Sequence, residues 1–348
     1  MLESIKDFMF SGSTPLFIRA DDVTEAIASK DRNNLYITSS FFRDPAKYRA
    51  FCAYYAVMRT VDDRIDQLFE QDRRSTARQQ RDLEVVNAWE QAVRSCRDGV
   101  HPKASLLTRC DLPDAGAVCD SFIDTYRVFP VPAGLWTNFF SAMRSDLLEG
   151  EFIRWSDFLA YAEGATVAPT TIYLWLILAR HHSEMDLYEI PQGLDWQACG
   201  RHLGIFAYLG HIIRDLAQDL TGKSARICIA REDMRRHGVT PEGLRKEASN
   251  GRASLATRGL VADLLERSRR HLAQGRALAQ PAYGVLESDG RFILELIVTI
   301  YEHVIDKIER TGCDPMAGRH RLSRLEKAKI VRQVAVRTGF SLPHSMTV

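Results

Sequence analysis

The sequence lacks the marks of several protein classes. No apolar run reaches the ~20 residues that a transmembrane helix needs; the most apolar stretch, Val167 to Ala179, is too short. There is no basic excess, since 46 Lys and Arg stand against 45 Asp and Glu for a net charge of +1. That balance argues against a nucleic-acid partner, and any bound anion must be held locally by a few placed groups. The seven cysteines (52, 96, 110, 119, 199, 228 and 313) are odd in number and form no Cys-x-x-Cys pair. Neither a disulfide framework nor a zinc knuckle follows from them, and a reducing cytoplasm fits best. The start, MLESIKDFMFSGSTP, has acidic residues and no basic-then-apolar signal-peptide pattern. The expectation is a cytoplasmic protein, soluble or at most peripheral to a membrane. Glycine-rich nucleotide fingerprints, metalloprotease histidine spacing, internal repeats and linkers are also missing.

What is present is helical. With 45% hydrophobic residues over 348 positions the chain can bury a large core. Asp44-Pro45 reads as a cap followed by proline at the first helical position, opening a helix to about Phe69. Pro132 to Glu149 reads as a second helix and Ser156 as the cap of a third. Asp195 caps a fourth that runs to about Leu220, and Thr240-Pro241 caps a short one ending near Gly251. Ser254 to Gln280 and Asp289 to Arg310 follow as long helices, and Arg321 to Arg337 as a basic amphipathic one. Runs suited to strands are few and short, such as Arg226 to Ala230. The reading is an all-α bundle forming a single domain over 1–348.

The chemistry concentrates in AVMRTVDDRIDQL and HIIRDLAQDL. Asp62 and Asp66 are four apart, as are Asp215 and Asp219, so each pair shares a helical face with like charges that repel. Met58 and Tyr55 lie one and two turns before Asp62, while Tyr208, His211 and Ile212 flank the second pair. Carboxylates on a partly apolar stripe face a bundle interior, where unpaired charge is costly. Two such helices opposed would make an oxygen-rich cage for a hard divalent ion, Mg²⁺ above all. A lone Asp-x-x-x-Asp is usually a solvated face; two copies in apolar helical sequence are harder to dismiss. Arg59 and Arg214 beside the pairs suit phosphate oxygens, with a plain intrahelical ion pair as the simpler role.

The segments YAVMRTVDDRID and HIIRDLAQDL resemble the two aspartate-rich motifs of squalene, dehydrosqualene and phytoene synthases. MRSDL (Met143 to Leu147) and GKSARICIAREDMRRHGVTPEGL resemble further stretches of that family, and the likeness spans roughly 30–310. It implies an isoprenoid-synthase-type bundle around a central apolar cavity, with two prenyl diphosphates joined head to head by way of a cyclopropylcarbinyl diphosphate. It implies metal ligation by Asp62, Asp63, Asp66, His211, Asp215 and Asp219, with Asp62, Asp66, Asp215, Asp219 and Tyr55 catalytic. Substrate contacts carry over to Arg59, Arg214, Arg226, Asp146, Tyr208, Tyr161, Arg32 and Asn33. Mg²⁺ is the implied metal, with Mn²⁺ as a substitute, and NADPH is implied if the product is squalene-like. Tyr161, Val167, Phe206 and Leu209 are candidate tunnel lining, although ordinary core packing explains each.

Departures from the family pattern bear on the product. His211 stands where the family has a metal-holding asparagine, and Tyr208 where it has glutamine. The hydroxyl-bearing His-Ser-x-Ser-Phe segment appears as RNNLY (Arg32 to Tyr36), and Cys228 and Ala230 replace the usual tyrosine and proline. The glycine pattern around YAEGATVAPT is loosely kept, and no Tyr-Arg pair occurs near Tyr301. Two other readings stand beside the head-to-head enzyme: a terpene cyclase acting on one diphosphate, and a non-catalytic relative that binds or assembles. The basic tail (Arg321, Arg324, Lys327, Lys329, Arg332) is either a solvated face or a contact with an anionic membrane surface.

Overall fold

The structure, a computed structural model, describes residues 22–30, 33–70, 76–148, 151–222, 227–318 and 320–342. Its helices are α1 (Asp22–Ser29), α2 (Asn34–Ser39), α3 (Pro45–Glu70), α4 (Thr76–Arg97), α5 (Ala104–Arg109), α6 (Ala115–Val128) and α7 (Ala133–Leu147). After α8 (Trp155–Ala162) come a π-helical turn (Glu163–Val167), α9 (Ala168–Leu178) and a small hairpin of β1 (Arg180–His182) and β2 (Leu187–Glu189). The chain continues with α10 (Trp196–Thr221), α11 (Arg231–Arg236), α12 (Pro241–Asn250), α13 (Leu255–Ala279), α14 (Ser288–Arg310) and α15 (Arg324–Thr338). The architecture is all-α and single-domain, as the sequence predicts.

Local chemistry sets most boundaries. Asp44 accepts from Ala46 N at 2.8 Å and opens α3 with Pro45 at its first position. Asp195 accepts from Ala198 N at 3.3 Å, and α10 stops before Gly222. Thr240 accepts from Gly243 N at 3.0 Å, and α12 ends on Gly251 in the left-handed conformation at φ +66°. Ser323 and Glu326 form a reciprocal capping box at the start of α15.

Two expectations need correction. Ser156 does not cap α8: Asp157 Oδ2 accepts from Arg154 N at 2.8 Å and Ile153 N at 3.1 Å, one residue pair earlier. The described part of the Arg226 to Ala230 run is not a strand; the chain there leads into α11, whose first amides bond Phe152 and Ile153 carbonyls at 2.8 and 3.0 Å. The strands that do form lie at 180–189, too short to show alternation. Tyr188 on β2 donates to Asp44 Oδ2 at 2.6 Å and stacks on Phe129 with centroids 4.0 Å apart. The hairpin therefore braces the start of α3.

The core sits among α3, α4, α6, α7, α9, α10, α13 and α14. Trp89, Trp136, Tyr54, Phe122 and Phe206 are fully buried in it. Phe122 and Tyr54 meet the Trp136 ring edge-on at 5.0 and 5.5 Å. The π turn is pressed against α7: a Cβ on Gly164 would lie 2.0 Å from the Asn138 carbonyl oxygen, so only glycine permits this approach. Thr166 in that turn bonds the Gly204 carbonyl at 3.2 Å, coupling the column of α8 and α9 to α10. No described helix is long and apolar enough to cross a membrane.

Candidate active site

Two long helices, α3 and α10, bring the aspartates to the site, and they treat them differently. On α3, Asp63 is neutralised by Lys30 Nζ at 2.7 Å and by Arg59 Nε at 2.8 Å. Asp62 faces the other way and is half-buried. Burial pushes its carboxyl up to about 7, helped by the charges of Asp66 and Asp146 and opposed by Arg59. Asp146 on α7 is itself buried and accepts from Tyr161 Oη at 3.1 Å.

On α10 the first aspartate is enclosed by cations. Arg214 Nε donates to Asp215 Oδ1 at 3.0 Å while its second arm grips Oδ2. Arg321 Nε adds a bond to Oδ1 at 3.2 Å, and His211 Nε2 lies 3.1 Å from Oδ2. Burial alone would raise the Asp215 carboxyl, but the hydrogen bonds from His211 and Arg214 outweigh it and hold the group well below the usual carboxylate range. Asp219, one turn on, opens toward solvent from a recess whose walls desolvate it. That desolvation and the charges of Asp215 and Asp66 push it up to about 6, against His211 and Arg214. Asp66 thus acts on both Asp62 and Asp219, which places the two motifs within electrostatic reach of each other.

Among the described residues no three carboxylate, imidazole or thiol groups converge on one metal position. The chemistry of the donor set still suits a hard cation. Asp62, Asp66 and Asp219 offer oxygen only, and their mutual repulsion is what a divalent ion would relieve. Asp63 and Asp215 already hold cationic partners, so they are less ready ligands than the motif suggests. His211 is committed to Asp215 in this arrangement.

A positive rim lies beside this stripe, and the sequence reading missed its assembly. Lys327 on α15 donates to Asn34 Oδ1 at 2.8 Å. Burial lowers its ammonium to about 8, with the charges of Arg214 and Arg321 adding to the effect. Asn34 also bonds the buried Tyr301 hydroxyl, whose ring meets Phe206 at 6.5 Å. The neighbouring Asn33 caps α2 through Tyr36 N at 3.0 Å and donates to the Tyr55 hydroxyl. Burial raises the Tyr55 phenol, and it stacks on Phe51 at 5.1 Å. Two of the five residues assigned to a solvated or membrane-facing tail, Arg321 and Lys327, instead point into the site. The clue available in the sequence was the RNNLY segment; nothing local announced that residue 321 would meet residue 215.

An aromatic band runs away from the charged end. Phe152 meets Tyr161 at 5.1 Å, Tyr161 meets Tyr208 at 6.4 Å, and Tyr208 meets both Phe158 at 6.0 Å and His211 at 6.3 Å. Phe206 and Leu209 are packed fully into the core and Val167 nearly so. Arg32 and Arg226 lie outside the described residues.

Comparison with known proteins agrees with this picture. The family model described as squalene/phytoene synthase matches residues 28–326. No curated protein matches the chain by sequence. Among solved structures, a dehydrosqualene synthase in complex with ligand superposes with a TM-score of 0.69 at 17% identity, over 92% of this chain and 97% of its own. Squalene synthase HpnC from Alicyclobacillus acidocaldarius gives 0.64 at 16% identity, over 84% and 94%. YisP from Bacillus subtilis gives 0.57 at 14% identity, over 95% and 97%. At such identities these likenesses establish the fold.

Proposed function

The chain belongs to the squalene/phytoene synthase family, and from that premise we propose that it joins two prenyl diphosphates head to head in a metal-assisted reaction. The observation that carries the reading is the stripe of Asp62, Asp66 and Asp219, in which burial and the Asp66 charge hold the carboxyls of Asp62 and Asp219 high, beside a rim of Arg214, Arg321 and Lys327. Like charges gathered in a partly dry recess are a liability unless a cation joins them. When bound there, a hard divalent ion such as Mg²⁺ supplies the Lewis acidity that eases departure of a diphosphate.

The chain's own groups do the rest. Arg214, Arg321 and Lys327 present guanidinium and ammonium donors to diphosphate oxygens. Asn33 and Asn34 stand in for the hydroxyl donors that the RNNLY segment lacks. Loss of diphosphate from one substrate leaves an allylic cation, which the double bond of the second attacks. Proton loss then closes a cyclopropylcarbinyl diphosphate. The band from Phe152 through Tyr161 to Tyr208 turns ring faces toward the apolar chains, excluding water and favouring positive charge. Tyr55, kept protonated by burial, accepts from Asn33 and takes no part as a base at neutral pH.

Incubation with Mg²⁺ and farnesyl or geranylgeranyl diphosphate, with and without NADPH, followed by mass spectrometry tests the reading. Products built from two substrate units support it and name the chain length and the reductant. A product with one unit's skeleton moves the chain to the cyclase class, and no turnover with any substrate or metal favours a non-catalytic relative.

A further inference from the structure

Arg64 lies inside the first motif but turns away from it. At 3.6 residues per turn it projects ~160–200° from Asp62 and Asp66, onto the back of α3. There Nε donates to Asp82 Oδ1 at 3.0 Å, and Nη2 lies 2.8 Å from Asp111 Oδ2. Asp82 on α4 is 0% exposed, and its second oxygen has no hydrogen-bond partner among the described residues. Asp111 sits in the turn after α5 at φ +53°, a left-handed conformation uncommon for a non-glycine residue. One guanidinium therefore ties α3 to α4 and to the α5–α6 connection.

Stability alone does not account for this choice. A buried ion pair with an incompletely bonded carboxylate is often no more stable than apolar residues of similar size. What the fork does fix is the roll of α3 about its own axis, because two carboxylates on separate elements hold two of its arms. At a side-chain radius of ~6 Å, a roll of ~10° moves Asp62 and Asp66 by about 1 Å. A misplacement of that size costs on the order of 100-fold in a reaction that depends on orientation.

We propose that Arg64 is a positioning residue: through Asp82 and Asp111 it sets the angle at which Asp62 and Asp66 face α10. This rests on the reading of Asp62, Asp66 and Asp219 as the cation-holding stripe. The test follows the melting temperature of the full chain against Mg²⁺ concentration in the presence of inorganic diphosphate, alongside kcat and KM. Arg64→Met is expected to raise the Mg²⁺ midpoint about tenfold and to lower kcat more than it raises KM. Arg64→Lys, which keeps the charge without the fork, falls between. Adding Asp82→Leu to Arg64→Met removes the orphaned buried charge and returns the melting temperature toward the parent's, while the Mg²⁺ midpoint stays displaced. A double variant with a parental midpoint overturns the proposal, since the ion pair is then structural only. A parental chain whose melting never responds to Mg²⁺ and diphosphate removes the metal reading itself, and this inference with it.

Discussion

The two aspartate motifs share one spacing, yet their leading aspartates end in opposite electrostatic states. On α3, burial, with the charges of Asp66 and Asp146 adding to it, pushes the Asp62 carboxyl up to about 7. On α10, Asp215 is gripped by Arg214, Arg321 and His211 and stays ionised far below that. Equal spacing does not make equal sites. What separates them is what each carboxyl meets: burial with Asp66 and Asp146 at one, and at the other hydrogen bonds from His211 and Arg214, joined by a guanidinium from 106 residues away. On the function proposed above, the first motif and Asp219 would accept a cation, while Asp215 would order the cationic rim that meets an anion.

The sharpest way to break the comparison is to delete one member from each side. Asp62→Ala is expected to abolish turnover, by at least about 1000-fold, with the helical circular dichroism intact. Asp215→Ala does likewise, but it also strands Arg214 and lowers the melting temperature more. Parental activity in Asp62→Ala removes the proposed stripe, and parental activity in Asp215→Ala removes the role proposed for the rim that Asp215 organises.

Arg321→Ala tests the anion-facing side alone. It takes one of several donors from the rim, so KM for the prenyl diphosphate should rise about tenfold with a smaller change in kcat. An unchanged KM would mean that Arg321 serves Asp215 only.

The pH dependence of the metal-free protein gives the two sides opposite signs. Asp62 holds its proton to about pH 7 when folded, against an ordinary value of about 3.9. Between those values the folded state binds more protons than the unfolded one, so Asp62 makes stability fall as pH rises through the window. Asp219, raised to about 6, acts in the same direction with a smaller share because solvent screens it. Asp215 is depressed, so its stabilisation is present above the ordinary carboxylate range and is lost as pH falls through its own lower value. Melting temperatures from pH 4 to 8 should show the downward slope flatten in Asp62→Asn. Mg²⁺ with diphosphate should flatten it in the parent, whereas Asp215→Asn should leave it in place.

The smallest effect is expected from His211→Asn. An asparagine amide keeps a donor near Asp215 and adds an oxygen ligand, so Mg²⁺-supported activity is retained or rises, within about threefold. A complete loss would show that the imidazole has chemistry of its own.

Much of this was legible in the residues because it is local. Asp44-Pro45, Asp195 and Thr240-Pro241 each open a helix where the cap chemistry says, since a cap involves atoms only a few residues apart. The aspartates could be picked out for the same reason. Ser156 misled because Asp157, one residue on, offers a carboxylate that accepts two backbone amides. The hairpin at 180–189 was invisible because three-residue strands carry no periodicity.

Helix positions, the two motifs and the all-α class thus follow from bonds and side-chain periodicities that act within a few turns. Which carboxylates share a recess, that Lys30 and Arg321 join the local partners of Asp63 and Asp215, and that Lys327 turns inward were settled by packing. It also decided that Arg64 reaches back to Asp82. The physical reason is that ionisation and ion pairing depend on distance and burial in space. The pairs 62/66 and 215/219 meet each other, residue 146 and residue 321 only once α3, α7, α10 and the segment before α15 have packed together.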